Sequence, residues 1–418
     1  MQFQWLLLVL LDAETPEIQR GGASDSSDGG SDAPVEYGSG EIKIWVADNT
    51  LDFTKSQAEA FIAANPDMSG YTITVEAVGE GEAAGNMITD VEGGADIFAF
   101  AQDQVARLVA SGALAPITGD AAEVIKNSHV EGAVQAVTVG DLIYAYPMTW
   151  DNTYYLYYDK SVVTDPSSLE QILADCEAAG KNFYMSLGDG WYLPSFFFAT
   201  GCKLEYETDV EGKYTACNID VASDNGLVAL KEMIDMASSS AYQQGANVDD
   251  AVNWGAIVTG VWCDGSAKTV LGENYACCKL PSFTGSDGNT YQLTSFMGCK
   301  LFGVKPQTDA GKLAVCRALA EYLTSKDVEL ARFAEYAWVP SNKEAQADSS
   351  VQTSESSVAI NDQGQYTIVQ GQYPGDYWTL GEAFGNDVAN KVITGSMSDD
   401  ELKAKLQEFQ DTCMSYAQ

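Results

Sequence analysis

The hydrophobic positions near the start of the folded sequence switch between the pattern of a strand and that of a helix. The stretch EIKIWVAD (41–48) alternates and is rich in β-branched residues, which is typical of a strand, and TITVEAV (72–78) and ADIFAF (95–100) are predicted as further strands. Residues 54–64 repeat apolar positions at helical spacing up to an Asn-Pro pair, and residues 103–112 repeat them up to a terminal glycine. Strands and helices in this order predict an α/β fold.

The same two patterns continue through the rest of the chain, without a repeat of fixed period. Further strands are predicted at 142–150, 153–160 and 182–188. Amphipathic helices are predicted at 167–180, 221–240, 308–325 and 399–416. Residues 345–365 are polar and rich in Ser and Gln, which predicts a surface loop.

The first forty residues differ from the folded part. The run LLLVLL (6–11) is shorter than the roughly 20 residues that cross a bilayer, and it lacks the flanks of a signal peptide. Residues 21–40 are rich in Gly, Ser and Asp and are predicted to form a disordered tether. An exported lipoprotein carries a cysteine immediately before such a tether, where this chain has Arg20. We therefore expect residues 1–20 to be a leader that replaces a lipoprotein signal, and residues 1–40 to lie outside the folded domains.

The net charge of the chain limits the classes of ligand and partner that it is expected to bind. The 418 residues include 22 Lys and Arg against 60 Asp and Glu, a formal net charge of −38. Such a chain repels nucleic acid, anionic lipid and polyanionic ligands, and it is expected to stay monomeric. A neutral or cationic solute fits this balance better.

Cysteine and histidine give no support to a metal or cofactor. The nine cysteines contain no CxxC pair and are expected to pack as small hydrophobic residues, although disulfides between them stay open. His129 is the one histidine, and its polar surroundings (KNSHVEG) predict an exposed side chain. A zinc site is therefore disfavoured, and we expect no metal and no cofactor.

Motifs for catalysis do not occur in the sequence. GxxxxGK[ST], GxGxxG after a strand, HExxH and GxSxG are all missing. Paired carboxylates for glycoside hydrolysis carry no information here, because sixty acidic residues provide too many pairs. We expect a protein that is not an enzyme.

Tryptophan placement points to a ligand. Four short loops combine Trp with a carboxylate or an amide: MTWDNT, GDGWYLP, GVWCDG and GDYWTLG. A sugar presents apolar CH faces that an aromatic plane covers, and a rim of hydroxyls that carboxylates and amides bind. Four such loops favour a carbohydrate cleft, although a single Trp of this kind is more often part of a core.

The folded chain resembles the maltose/maltodextrin-binding branch of the solute-binding proteins of ABC importers, across nearly all of residues 41–416. The stretches that carry this resemblance are EIKIWVADN, VEGGADIFAFAQDQVARLVASGALAPIT, DLIYAYPMTWDNTYYLYYDK, FFFATGCKLEY, KLPSFTG and VITGSMSDDELKAKLQ. The resemblance implies a two-lobed periplasmic-binding-protein-like (type II) α/β fold, with a hinge and a sugar in the interlobe cleft.

The resemblance also implies where the lobes lie. The first lobe would be 41–149 plus 298–338, and the second would be 150–297 plus 339–418. The chain would cross between them near 148–150, 296–299 and 338–341, with Trp338 supporting the hinge.

Ligand-binding residues follow from the resemblance position by position. In the first lobe they are Asp48 or Asn49, Glu82, Phe100 in place of a family Trp, Asp103, and Gln104 in place of a family Arg. In the second lobe they are Asp151 with Trp150, Trp191, Trp262, and Trp378 about one helical turn before the family position. The Trp loops add the neighbouring residues Asn152, Tyr192 and Tyr377. Trp45 lies inside a strand and is expected in the core.

The resemblance implies capture of a malto-oligosaccharide and delivery to the membrane subunits of an ABC importer. The native protein would act at the extracellular face of the membrane, held by a lipid anchor. Alternatives are a xylo-, manno- or galacto-oligosaccharide, a cationic solute such as a polyamine, a glucan-acting enzyme and a surface-anchoring module. Binding through ionised carboxylates is expected to weaken only near the pKa of about 4 of an ordinary Asp or Glu.

Overall fold

The computed structural model describes residues 37–209 and 212–417. The predicted leader, 1–20, and most of the predicted tether lie outside the described residues. Within the described part, none of the helices is long and apolar enough to cross a membrane.

The strands alternate with helices over most of the described chain. The strands are β1 (Gly40–Val46), β2 (Tyr71–Ala77), β3 (Ile97–Ala101), β4 (Thr138–Val139), β5 (Leu142–Ile143), β6 (Ala145–Pro147), β7 (Tyr155–Asp159), β8 (Asn182–Tyr184), β9 (Leu204–Thr208), β10 (Tyr214–Ile219), β11 (Tyr242–Gln243), β12 (Trp254–Thr259), β13 (Tyr275–Cys278), β14 (Ser282–Thr284), β15 (Thr290–Gln292), β16 (Ser295–Met297), β17 (Lys300–Val304) and β18 (Thr367–Val369).

The helices include all of those predicted from periodicity. They are α1 (Leu51–Ala64), α2 (Glu80–Thr89), α3 (Val105–Ala110), α4 (Asp120–Ser128), α5 (Glu131–Ala136), α6 (Leu169–Ala179), α7 (Pro194–Ala199), α8 (Asp224–Ser238), α9 (Asp264–Leu271), α10 (Ala310–Leu323), α11 (Lys326–Tyr336), α12 (Lys343–Gln346), α13 (Ser349–Gln352), α14 (Glu355–Gln363), α15 (Gly375–Ala389) and α16 (Asp399–Met414). The last begins with a capping box between Ser398 and Glu401.

The first sheet has the strand order β2-β1-β3-β17-β6. Strand β1 runs parallel to β2 and β3, whereas β17 runs antiparallel to its neighbours β3 and β6. Ile42, Ile44 and Val46 of β1 are buried and Trp45 is half-buried, with its indole N–H donating to the Glu76 carboxylate at 2.9 Å. Trp45 therefore lies in the predicted strand but only at the margin of the core.

The second sheet has the order β11-β8-β12-β7-β13. Strands β11, β8 and β12 are parallel, and β7 runs antiparallel between β12 and β13. Helices α6 and α8 contact this sheet, as do α9 and α14. Both faces of β7 are consequently buried: Tyr155 and Tyr157 join one hydrophobic cluster, and Tyr154 and Leu156 join the other.

Three chain segments run side by side between the sheets, the first at 148–154, the second at 298–299 and the third at 337–342. The first links β6 to β7, and in it the Trp150 N–H donates to the Val339 carbonyl at 2.9 Å. The Met148 N–H donates to the Lys300 carbonyl at 2.9 Å, and the Asn152 N–H donates to the Gly298 carbonyl at 3.1 Å.

The predicted surface loop at 345–365 is wrong. Short helices α12, α13 and α14 occupy it, with Asn342 and Asp348 as N-caps. Helix α14 packs against β13, and its Gln363 is buried and accepts a hydrogen bond from the Leu280 N–H at 2.8 Å. The polar residues that suggested a loop act here as caps and buried hydrogen-bonding groups.

The predicted exposure of His129 is also wrong. The side chain is 3% exposed, and its Nδ1 lies 2.9 Å from the Ser341 hydroxyl. Burial lowers the pKa of His129 to about 4. A short bridge to Asn342 brings the end of α4 under the third crossing segment, a contact that the polar local sequence does not indicate.

All nine cysteines lie in the described residues, and none forms a disulfide there. Cys176, Cys202, Cys263, Cys299, Cys316 and Cys413 are buried, as expected of small hydrophobic side chains.

Candidate functional site

A cleft of about 540 Å³ opens between the two sheets. Its lining comes from the carboxyl ends of β1, β2, β3, β8 and β12 and from the crossing segments, the edge at which open α/β sheets bind ligands. The lining residues are Ala47, Asn49, Glu80, Ala101, Asp103, Asn152, Asp189, Trp191, Tyr192, Trp262, Lys300, Trp338, Gln370 and Trp378.

The first-sheet side contributes polar groups. Asn49 follows β1, Glu80 opens α2, and Asp103 follows β3 in a 3-10 turn. The Asp103 carboxylate is buried and accepts a hydrogen bond from the Gln104 side-chain amide, whose oxygen in turn accepts one from Arg107 at 2.7 Å. Burial raises the pKa of Asp103 to about 6, although the hydrogen bond from Gln104 and the charge of Arg107 oppose the rise.

The second-sheet side contributes the aromatic wall. The ring centroids of Trp191 and Trp262 lie 5.8 Å apart at an interplanar angle of 43°, and Tyr192 meets Trp191 edge-on at 5.1 Å. Trp262 is 38% exposed, and a Cβ on Gly260 would come within 2.1 Å of its ring. Glycine at 260 therefore allows this indole to fold back over the backbone and to present a large apolar surface to the cleft.

Trp191 is held by its own loop and by a buried glutamine. Its backbone N–H donates to Asp189 at 2.8 Å, and its indole N–H donates to the Gln370 side-chain oxygen at 3.0 Å. Gln370 is fixed in turn, because its backbone N–H donates to the Met297 carbonyl and its carbonyl accepts from Gln102. Burial raises the pKa of Asp189, and the Trp191 N–H opposes that rise.

Trp378 closes the aromatic side from α15. It packs against Tyr373 and Tyr377, with ring centroids 5.2 and 5.0 Å away. A Cβ on Gly190 would lie 3.0 Å from the Trp378 carbonyl, so glycine permits close contact between the Asp189 loop and this helix.

One cation reaches the described lining of the cleft. Lys300 begins β17 beside Ala101, and its Nζ lies 3.4 Å from the centroid of the Trp338 ring and 5.8 Å from that of Trp262. A cation at these distances is attracted to the ring faces. Trp338 itself is buried.

The cleft unites half of the residues expected to bind ligand. Asn49, Asp103, Asn152, Trp191, Tyr192, Trp262 and Trp378 line it. Asp48 and Glu82 are exposed outside it. Glu80 lines the cleft in place of Glu82. Two residues correspond to roughly 200° around a helix, so the Glu82 side chain points away from the cleft.

The prediction that Phe100 and Gln104 lie in the cleft needs correction. Phe100 is fully buried in β3, where it packs 5.3 Å from Phe98 and fills the space above Gly303, so it lies in the core rather than in the cleft. Gln104 does not line the cleft and instead donates to Asp103.

Trp150, Asp151 and Tyr377 also lie away from the cleft surface. Trp150 packs over Gly132 and lines a separate cavity of about 160 Å³. Asp151 is fully buried and accepts a hydrogen bond from the Val339 N–H at 2.7 Å. Tyr377 is fully buried too, and its hydroxyl donates to the Gly190 carbonyl at 3.1 Å. These residues support the cleft from behind.

Sequence reasoning did not select five residues that line the cleft: Glu80, Asp189, Lys300, Trp338 and Gln370. Asp189 stood in one of the Trp loops and could have been chosen on that signal. No sequence signal marked Gln370, because its position depends on the pairing of β16 with β18, two strands that are distant in sequence. Within the described residues, no group of His, Cys, Asp and Glu side chains could hold a metal ion.

The fold and cleft together define a two-lobed binding protein of the periplasmic type, with a type II α/β arrangement. The chain belongs to the bacterial extracellular solute-binding protein family, whose model matches residues 56–359.

Solved structures share this fold over nearly their whole length. A protein solved with acarbose is 27% identical, with a TM-score of 0.79 over 91% of this chain and all of that one. The maltodextrin-binding protein MalE1 of L. casei BL23, solved without ligand, is 23% identical, with a TM-score of 0.77 over 90% of this chain and 99% of the other. A cyclo/maltodextrin-binding protein complexed with maltotetraose is 20% identical, with a TM-score of 0.71 over 91% and 98%.

Proposed function

We propose that this protein captures a malto-oligosaccharide in the interlobe cleft and delivers it to an ABC importer in the membrane. The observation that carries the proposal is the pairing of an aromatic wall, Trp191 with Trp262, with carboxylates on the facing side, Glu80 and Asp103. Aromatic rings cover the apolar faces of a sugar, and carboxylates orient its hydroxyls. The similarity to a protein solved with acarbose, at 27% identity, supports the same ligand class.

We assign the lobes to 41–149 plus 298–338 and to 150–297 plus 339–418. The partition of strands supports these limits, because every strand of the first sheet falls in the first set and every strand of the second sheet in the second set. A ligand that touches Asp103 and Trp191 together contacts both lobes. It therefore favours the closed form, in which both sets of contacts are made.

A neutral sugar suits the cleft better than a cationic solute. The Lys300 ammonium already occupies the space beside the faces of Trp338 and Trp262, where an organic cation would otherwise stack. The same ammonium can donate hydrogen bonds to sugar hydroxyls. The choice between gluco- and other oligosaccharides rests on the ligands of the similar proteins.

Family membership supports an extracellular position, and we propose that a lipid anchor holds the native protein at the outer face of the membrane. Delivery to the importer would follow closure of the lobes. The net charge of −38 favours a monomeric protein that does not bind nucleic acid.

Isothermal titration calorimetry with maltotriose, xylotetraose and spermidine tests the ligand class. We expect maltotriose to bind with micromolar or tighter affinity, which corresponds to about −8 kcal/mol. Trp262→Ala should abolish most of this heat, whereas the control Trp45→Phe, outside the cleft, should preserve it. Heat with xylotetraose alone would replace the ligand, and the lack of heat with any oligosaccharide would overturn the proposal.

A further inference from the structure

The turn that carries Trp262 is held at both of its ends by tyrosine hydroxyls. It is a 3-10 turn after β12, and Asp264 begins α9 directly behind it. At the first end, the Tyr157 hydroxyl donates to the Gly260 carbonyl at 3.4 Å. At the second end, the Tyr275 hydroxyl donates to the Asp264 carboxylate at 2.5 Å. The two tyrosines belong to β7 and β13, which pair with each other, so the second sheet fixes both ends of the turn.

We propose that Asp264, held by Tyr275, is a positioning residue that orients the Trp262 ring for stacking on the ligand. This inference rests on the proposed function, because it concerns how that site keeps its aromatic wall in place. Trp262 is 38% exposed, so packing covers only part of the indole and the backbone turn has to fix its orientation. A side chain that is ordered before binding loses less conformational freedom when the ligand arrives.

The burial of Asp264 is the first argument. The residue is 3% exposed, and a carboxylate is costly to remove from water unless hydrogen bonds and an opposite charge compensate it. Two partners do so here, because Oδ1 accepts from the Tyr275 hydroxyl and Oδ2 accepts from the Lys268 ammonium at 2.7 Å. As the first residue of α9, the carboxylate also interacts favourably with the helix N-terminus. Both of its oxygens are therefore fixed, two residues after Trp262.

The two partners of Asp264 act differently. Lys268 lies four residues further along α9 and its side chain is 49% exposed, so this ion pair stays within the helix and is screened by solvent. Tyr275 belongs to β13 and is buried, with its ring centroid 6.1 Å from that of Tyr157. Burial raises the pKa of the Tyr275 hydroxyl, which therefore keeps its proton and acts as a donor. The tyrosine, rather than the lysine, thus connects the Trp262 turn to the sheet.

The place of the indole on the turn is the second argument. The Trp262 ring lies so close to Gly260 that a Cβ there would be 2.1 Å from it, so the ring lies directly on the backbone at the first end of the turn. Because Tyr275 holds the other end through Asp264, movement of that end changes the surface that supports the ring. The Trp262 and Trp191 centroids are 5.8 Å apart, and the geometry of this pair therefore depends on the turn.

Fluorine NMR of the full protein labelled with 5-fluorotryptophan tests the position of the ring without a ligand, and calorimetry with maltotriose tests its consequence. The Trp262 resonance is identified by its loss in Trp262→Phe. Tyr275→Phe keeps the ring and removes the hydroxyl, so the Trp262 resonance should shift or broaden and maltotriose affinity should fall about fivefold. Tyr71→Phe is the matched control and should change neither, because it removes a buried hydroxyl that donates to the Tyr37 carbonyl at 2.6 Å, outside the cleft.

Two substitutions of Asp264 separate the hydrogen bond from the ion pair. Asp264→Asn keeps an oxygen that accepts from Tyr275 but loses the charge that pairs with Lys268, so affinity should stay within about twofold of the unmodified protein. Asp264→Leu removes the acceptor as well and should reproduce the loss seen in Tyr275→Phe. Equal losses of affinity in the Asn and Leu variants would contradict the assignment of positioning to the tyrosine hydrogen bond.

The outcomes distinguish this inference from the proposed function. A Trp262 resonance or a maltotriose affinity that Tyr275→Phe leaves unchanged would overturn the positioning role, and a lower melting temperature alone would identify the contact as purely structural. The lack of heat with any oligosaccharide in the unmodified protein would overturn the proposed function. The fluorine signal alone would then decide whether Tyr275 and Asp264 orient the ring, because that measurement needs no ligand.

Discussion

Four loops in this protein combine Trp with Asp, and two of them, GDGWYLP and MTWDNT, end in different environments. In GDGWYLP, Trp191 faces the cleft and Asp189 is half-buried at its edge. In MTWDNT, Trp150 packs over Gly132 and Asp151 is fully buried under the Val339 N–H. The first pair forms part of the cleft lining, and the second pair holds two crossing segments together.

The difference comes from where each loop lies in the topology. The Trp191 loop follows β8, one of the parallel strands whose carboxyl ends face the cleft. The Trp150 loop joins β6 to β7 and is covered by the third crossing segment, which buries its carboxylate. Local composition thus identifies loops that pair Trp with Asp. The position of each loop relative to the sheets decides whether these side chains line the cleft or are buried.

The largest expected difference in oligosaccharide affinity is between the variants Trp191→Ala and Trp150→Ala. Removal of Trp191 should weaken oligosaccharide binding about a hundredfold, because aromatic side chains at the centre of a site carry 2 kcal/mol or more. Trp150→Ala should change affinity less than about threefold and should instead lower the melting temperature. Calorimetry and thermal unfolding of both variants would check this, and a similar loss of affinity in both would contradict the division.

Asp151→Ala against Asp189→Ala makes the same comparison for the carboxylates. Loss of Asp151 leaves the buried Val339 N–H without its acceptor, which should cost about 1–3 kcal/mol of unfolding free energy. Asp189→Ala should cost less, since its carboxylate is half-buried, but it should weaken binding. Urea unfolding and calorimetry measure the two effects, and equal losses of stability would argue against a special role for Asp151 at the crossing.

The pH dependence of binding reports on Asp103. Because burial raises the pKa of this carboxyl to about 6, binding should weaken well above the acid range expected for ordinary carboxylates. If the ionised form accepts the ligand hydroxyl, affinity should fall about tenfold between neutral pH and one pH unit below that pKa. Asp103→Asn should flatten the profile, and calorimetry at several pH values would check it. A profile that is unchanged in Asp103→Asn would rule out this carboxyl as the titrating group.

The effect of Asp103 on stability has the opposite sign. Its folded-state pKa of about 6 lies above the ordinary value of 3.8, so the folded state holds the proton more tightly. Its stabilising contribution is fully present below the ordinary value and is lost as the pH rises through about 6. Asp103→Asn should therefore narrow the difference in unfolding free energy between these two pH values, which urea unfolding measures.

Most of the fold could be predicted from the sequence because strands and helices produce short-range periodic patterns of apolar residues. Strands β1, β2, β3, β6, β7 and β8 and helices α1, α6, α8, α10 and α16 follow their predicted stretches, whereas strands β11, β12, β13 and β17 lie outside every predicted strand. Predictions failed where a long-range contact decides the outcome. His129 is buried by a segment more than two hundred residues away, and α14 forms because polar side chains such as Gln363 find buried partners.

The cleft was predicted less evenly. Trp191 and Trp262 stand in loops whose composition marks them, and they line the cleft. Phe100 and Glu82 were placed by alignment alone, and the strand core and the turn of α2 direct them elsewhere. Gln370 and Lys300 reach the site only because distant strands pair, so no local pattern reveals them.

The variant Lys300→Met tests a residue that lies between the cleft lining and the crossing segments. The Lys300 charge lowers the pKa of the buried Asp151, against the larger effect of burial, and its ammonium also stacks on Trp338 in the cleft. If its main role is to donate a hydrogen bond to a sugar hydroxyl in the cleft, affinity should fall about fivefold, in line with a hydrogen bond of about 1 kcal/mol. Lys231→Met is the charge-matched control, because Lys231 pairs with Asp399 on the surface at 2.7 Å and lies outside the cleft. Stability should then be similar in the two variants, as measured by urea unfolding. A marked loss of stability in Lys300→Met without a loss of affinity would instead assign this lysine to the crossing segments, where its charge would serve Asp151.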